Sequence, residues 1–430
     1  MRPLFLVLAS LLALPAWAAR FEIPVQGSRE LTLAIAAPVM PRGDPDQKAA
    51  LLRDTVEKDL AMTGYFEMVP LDAHIERGMG VEPGSFPFDP WRMLRTAALV
   101  KLRVLPAGDT SCDPAGQRMC LDVFIYDVLG QEKLAGKRLR GTPAEVLSIA
   151  HQAADEVLLA LVGLRGFFGD VLAAVQDRTG NKEIWLVGID GARAQAVTRN
   201  GSINLSPAWS PDHGTLAWTS YRRGNADVYA KDLGTGAVRT VSASPGVDTA
   251  ASFSPDGSLV AVARSEQGDT DIFLLDARTG RTIRRLTQGG GIDVSPHFSP
   301  DGTQIVFASE RSGGSQIYVV DVAGGTPRRV TNLRGFFTDP VWSPDGGAIA
   351  FVSRDGRFDI MTIRPDGTGV NRLTQDQGDN EDPSWSPDGR YLVFTSTRKG
   401  GRRIWLSTAN GRHQVALTDD AGWSQPVWSR

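Results

Sequence analysis

The chain has 430 residues, 42% of them hydrophobic and 22% charged, with a formal net charge of −3. This composition excludes a largely disordered or fibrous chain, and the length exceeds what one hydrophobic core usually organises, so two domains are expected. The small negative charge excludes an overall basic field that would draw a nucleic-acid backbone or an anionic bilayer.

The N-terminus reads as a cleaved export signal. Arg2 supplies a positive start, residues 4–14 are apolar apart from Ser10, and Ala16-Trp17-Ala18 is a small-x-small cleavage pattern. A signal peptide over residues 1–18 is expected, with a soluble mature chain, since no later stretch approaches 18 consecutive apolar residues. Beyond it, residues 31–37 predict a strand. Residues 46–62 predict a helix with Leu51, Leu52, Val56 and Leu60 on one face. Further strands are expected at 65–69, 98–105, 121–127 and 133–139. Thr142, with Pro143 just inside, heads a second helix carrying Leu147, Ala150, His151, Ala154, Val157, Leu158 and Leu161 at helical intervals.

Cys112 and Cys120 are the only cysteines. Export exposes them to oxidising conditions, and the Pro- and Gly-containing gap lets a hairpin join them, so a disulfide is expected. A metal site fits less well, because no further Cys or His pair completes four ligands.

From about residue 167 the chain is an internal repeat. An aromatic residue followed by Ser-Pro-Asp-Gly recurs at Trp209, Phe253, Phe298, Trp342 and Trp385, spaced by 44, 45, 44 and 43 residues, and Trp428-Ser429 follows after another 43. The first copy departs slightly, with His213 before Gly214. In each copy Pro sets φ, Asp bonds local backbone and Gly takes φ > 0, joining two antiparallel strands tightly. Four short strands per unit of about 44 residues is the arithmetic of a propeller blade. Residues 171–175 lack the anchor strand that precedes each other blade, and residues 426–428 end the chain with one. The expected fold is therefore a small α/β N-terminal domain (19–166), then an all-β six-bladed β-propeller (167–430) closed by pairing of the C-terminal strand with the first blade.

No Gly-x-Ser-x-Gly elbow, phosphate-binding loop or His-Glu-x-x-His occurs, and the five histidines show no ligand spacing. The feature that draws notice is a polar stretch ahead of each anchor: Asn204-Leu205, Asp248-Thr249, Asp293-Val294, Thr338-Asp339, Glu381-Asp382 and Ser424-Gln425. In a closed propeller these six loops converge on one mouth of the central channel. Their five carboxylates suit a partner's polar or basic segment, or a cation such as calcium. Alternatively, the Asx residues simply cap turns.

The order of a small α/β domain before the propeller, the junction His151-Gln152-Ala153-Ala154-Asp155-Glu156-Val157 leading to Gly163-Leu164-Arg165-Gly166-Phe167-Phe168, and the terminal half-repeat ending in Trp428 resemble the TolB family of periplasmic Tol-Pal components. The resemblance implies a non-enzymatic, cofactor-free periplasmic protein, monomeric, with envelope proteins as its partners. It implies that the lipoprotein Pal docks at the propeller mouth on Asn204, Leu205, Asp248, Thr249, Ala250, Asp293, Val294, Thr338, Asp339, Glu381, Asp382 and Gln425. It implies further that TolA contacts the mature N-terminal segment at Arg20, Phe21, Glu22, Ile23, Pro24 and Val25. The rival readings are a propeller accessory to a hydrolase and a carboxylate-based glycan hydrolase.

Overall fold

The computed structural model describes residues 30–40, 48–75, 80–266, 268–289 and 291–429. The signal peptide and the Arg20–Val25 segment lie outside them. The chain forms two compact units that divide between Gly169 and Asp170, where the sequence reading divided it between 166 and 167.

The first unit is a five-stranded sheet with helices. Its strands are β1 (Leu31–Ile35), β2 (Phe66–Met68), β3 (Ala98–Leu105), β4 (Met119–Asp127) and β5 (Glu132–Gly141), in the order β2-β1-β3-β4-β5. β1 runs parallel to β2 and β3, and the remaining pairs are antiparallel. Helix α1 (Lys48–Met62) buries Ala49, Leu52, Val56 and Leu60. Leu51, expected on that face, is exposed instead, because the buried stripe follows positions three and four apart and Leu51 falls beside it. A short helix, α2 (Asp89–Met93), was not legible in the sequence; it buries Trp91. Helix α3 (Val146–Val162) is introduced by a capping box between Thr142 and Glu145 and ends at Gly163 in the left-handed conformation. Asp59 of α1 and His151 of α3 form a buried pair at 2.7 Å. Cys112 and Cys120 are joined by a disulfide.

The second unit is six four-stranded sheets. Five are built from consecutive strands, beginning with the inner strands Asn204–Trp209, Asp248–Phe253, Asp293–Phe298, Phe336–Trp342 and Asn380–Trp385. The remaining sheet joins the two ends of the propeller: Trp423–Trp428 pairs antiparallel with Val171–Gln176. The Trp428 indole N–H donates to Asp170 at 2.8 Å, and the Ser429 N–H to the Val171 carbonyl at 3.1 Å. We number the blades from this closing sheet, so blades 2 to 6 follow in chain order. The cores lie between neighbouring blades; Val306, Ala308 and Ile317 of blade 4, for instance, pack with Phe337, Ile349 and Phe351 of blade 5.

The recurring turn works as its residues dictate. Ser254, Ser299 and Ser343 hydroxyls donate to Asp256, Asp301 and Asp345, and Gly257, Gly302 and Gly346 sit at φ near 70°. In the first copy His213 itself takes that conformation, with φ 58°. An L-residue is disfavoured there, but histidine is among the more tolerant.

Candidate functional site

The inner strands set the geometry of the channel. Counting back from each anchor aromatic, the fifth residue is buried in every blade: Asn204, Asp248, Asp293, Phe337, Asn380 and Trp423. The fourth is half-buried: Leu205, Thr249, Val294, Thr338, Glu381 and Ser424. The third is left-handed in every blade, with φ of 49–56° at Ser206, Ala250, Ser295, Asp339, Asp382 and Gln425. None of the six is glycine, and the strand register shifts around these positions. Each is thus a β-bulge residue held in a strained conformation, a feature that concentrates at functional sites. All six line one cavity of about 210 Å³ on the propeller axis, together with residues such as His297, Ser384 and every anchor aromatic except Phe298.

This arrangement divides the expected mouth residues. Ala250, Asp339, Asp382 and Gln425 line the channel. Ser206 and Ser295, which the sequence reading passed over, stand beside them; the signal was available as the residue three before each anchor. Leu205, Thr249, Val294, Thr338, Glu381 and Ser424 are half-buried one residue ahead of the channel-lining ring. Asn204, Asp248 and Asp293 do not join the ring. The expectation of five carboxylates around one opening is therefore corrected: these three side chains are fully buried in polar networks within the blades. Asp248 accepts from the Ser242 hydroxyl at 2.6 Å and from the Ser244 N–H and hydroxyl at 2.9 and 2.5 Å. Asp293 pairs with Arg311 at 2.7 Å. Asn204 donates to Glu183 at 2.9 Å and accepts from the Trp218 indole at 3.1 Å. Asp248 is thus a turn-capping residue, as the alternative reading had it, and Asp293 a buried ion-pair partner, each two residues before the channel-lining position of its strand.

Contacts between blades tie the ring residues. The Ser206 N–H donates to the Gln425 side-chain oxygen at 2.8 Å, and Ser295 donates to Asp339 at 2.9 Å. Asp382 accepts from the Thr395 hydroxyl at 2.8 Å and from the Gln425 N–H at 3.2 Å. Asp339 and Asp382 come from adjacent blades. Burial pushes both carboxyls up, against the hydrogen bond from Ser295 at Asp339. At Asp382 burial is joined by the charges of Asp339 and Glu381, and its pKa is pushed up to about 7, against the Thr395 and Gln425 hydrogen bonds. Glu381 is also raised, by burial first, with Arg402 opposing.

This pair gives a pH dependence of unusual sign. An ordinary carboxyl releases its proton near pH 4 in the unfolded chain, whereas native Asp382 keeps it to about pH 7. Between those values the native state binds more protons, so stability is present below pH 4 and is lost as the pH rises through 7. Asp382→Asn removes this slope. The variant is expected to be more stable than the parent by about 2–4 kcal/mol at pH 8 and to match it near pH 4. Urea unfolding followed by tryptophan fluorescence reads the difference, and parallel pH curves for the two proteins would refute it.

The acid pair offers two carboxylates, and no group of three or more His, Cys, Asp or Glu side chains placed to hold a metal occurs among the described residues. Calcium takes six to eight oxygens, so a cation here would keep much of its water. Among the described residues no helix is long and apolar enough to cross a membrane.

The family model described as the TolB beta propeller domain matches residues 159–430, and that of the TolB amino-terminal domain matches residues 20–134. The Tol-Pal system protein TolB of Geobacter sulfurreducens is 38% identical over 194 residues, covering 44% of this chain and 42% of that protein. Its counterpart in Geobacter metallireducens is 37% identical over 191 residues, with the same coverage of 44% and 42%. The chain thus spans somewhat under half the length of these curated relatives. The crystal structure of TolB from Acinetobacter baumannii superposes with a TM-score of 0.78 at 25% identity, covering 93% of this chain and 97% of that one.

Proposed function

The chain belongs to the TolB family, and on that footing we propose that it is a non-catalytic periplasmic binding protein of the Tol-Pal system. In this reading the propeller mouth receives Pal, and the mature N-terminal segment, Arg20 to Val25, engages TolA. The protein would thereby help to keep the outer membrane tethered and support envelope constriction during division. The observation that carries the reading is the ring of six non-glycine left-handed residues on the propeller axis, one per blade, at equivalent positions but with different side chains. Repetition supplies the scaffold, and variation around the ring supplies the means to recognise one asymmetric partner. The acid pair is also what a glycan hydrolase would need, but family membership favours binding. A channel cation, if bound, would use the same two carboxylates.

Calorimetric titration of the mature protein, from Ala19 onward, with the periplasmic domain of Pal from the same organism tests the proposal. Saturable binding weakened by Asp339→Ala or Glu381→Ala is expected. Absence of binding at tens of micromolar would overturn the assignment to Pal and leave the fold standing. Asp248 and Asp293 are poor probes, since replacing either disturbs a buried network.

A further inference from the structure

One residue further from each anchor, six before it, the blades carry Ile203, Val247, Ile292, Phe336, Asp379 and Gly422. The backbone does the same work in five of the six. The carbonyls of Ile203, Val247, Ile292, Asp379 and Gly422 accept from the N–H groups of Tyr221, Ser265, Glu310, Thr397 and Asp177 at 2.9–3.2 Å. Since Asp and Gly serve there equally well, the fold does not require a large apolar side chain at this position. Four consecutive blades, 2 to 5, nevertheless carry one, each 41–45% exposed, and Tyr221 and Leu333 nearby are exposed as well. Isolated exposed apolar residues are ordinary, but an apolar side chain at the same exposed position in four successive blades marks a contact surface.

Three residues further along each inner strand stands the ring that lines the channel, and two of its six positions carry a carboxyl group. Asp339 and Asp382 face it from blades 5 and 6, and Glu381 stands half-buried one residue before Asp382. Arg402 approaches Glu381 at 3.9 Å. Charge complementarity therefore calls for a cation entering the channel, with apolar groups beside it. A small molecule that fits within about 210 Å³ would not reach an arc spread over four blades. A protein segment would.

We infer that the propeller mouth is a two-part receptor for a protein segment with a Lys or Arg at its tip and apolar residues on its flank, the tip meeting Asp339 and Asp382 and the flank covering Ile203, Val247, Ile292 and Phe336. This rests on the reading of the mouth as the partner-binding face. The uneven ring then fixes how the partner is turned about the axis, because blades 6 and 1 lack the apolar side chain.

The test uses the full mature chain and three probes: the Pal periplasmic domain and two cyclic hairpin peptides with Leu-Lys-Leu or Leu-Glu-Leu at the tip. The Lys peptide is expected to bind about ten-fold more tightly than the Glu peptide, and Asp382→Asn to erase most of that preference. The double variant Val247→Ser, Ile292→Ser is expected to weaken both the Lys peptide and Pal by about ten-fold or more. The control double variant Val238→Ser, Ile283→Ser, on exposed apolar residues of outer strands, is expected to leave both unchanged. Equal binding of the two peptides, or indifference of Pal and the Lys peptide to the arc variant, overturns the inference. Tighter peptide binding after removal of residues 19–29 would assign the arc to the chain's own segment and overturn it too. If Pal fails to bind while the peptides behave as described, the Pal assignment falls and the receptor chemistry stands.

Discussion

Removal of residues 423–430 is expected to abolish cooperative folding of the propeller. The deletion takes the inner strand out of blade 1 and leaves Val171–Gln176 as an open edge. It also removes Trp423 and Trp428, both almost fully buried. Losing one buried aromatic side chain costs about 3–5 kcal/mol, and two such losses approach the whole stability of a typical domain, about 5–15 kcal/mol. The exposed edge adds a template for aggregation. Circular dichroism melting and light scattering of the truncated protein would show a broad, early transition and large species. A synthetic peptide of residues 418–430 supplied in trans is expected to restore the sharp transition. A truncated chain that melts like the parent would show that the ring does not depend on its closure.

Arg311→Ala is expected to destabilise the propeller by about 3–5 kcal/mol, the effect of leaving a buried charge without its partner. Asp293 is fully buried and pairs with the Arg311 guanidinium at 2.7 Å, while Arg311 also donates to the Ser309 hydroxyl at 2.8 Å and lies over Phe307 and Tyr318. Adding Asp293→Asn to Arg311→Ala is expected to recover part of the loss, because it removes the orphaned charge. Chemical denaturation of the parent, the single and the double variant decides. A single variant within about 1 kcal/mol of the parent would mean that the pair is solvated and that Asp293 is not the structural residue described above.

Blade 4 also shows how one local arrangement governs two readings. The sequence places Asp293-Val294 in the same stretch as Thr338-Asp339 of the next blade, and both look like polar loop residues before an anchor. Aligned on their aromatics, Asp293 is the fifth residue back and Asp339 the third. Side chains alternate along a strand, and a bulge turns the third residue onto the axis. A shift of two residues thus separates a buried structural carboxylate from a channel-lining one. Ser206 and Ser295 escaped notice for the complementary reason: a serine carries no charge to draw attention, though it occupies the same place as Asp339.

Repetition and turn chemistry determined the architecture from the sequence alone. The spacing of the Ser-Pro-Asp-Gly turns gave the blade length, the missing first strand and the surplus last one gave closure, and the oxidisable cysteine hairpin gave the disulfide. These are local signals, each written in a few consecutive residues. Tertiary structure decided what depends on convergence of distant segments. It turned six bulges toward one axis, buried Asp248 and Asp293 away from it, and set Asp339 against Asp382 across a blade boundary. It also brought four unremarkable apolar residues, some 44 positions apart, into one arc. Burial and mutual repulsion are properties of that assembled neighbourhood, and no single repeat contains them.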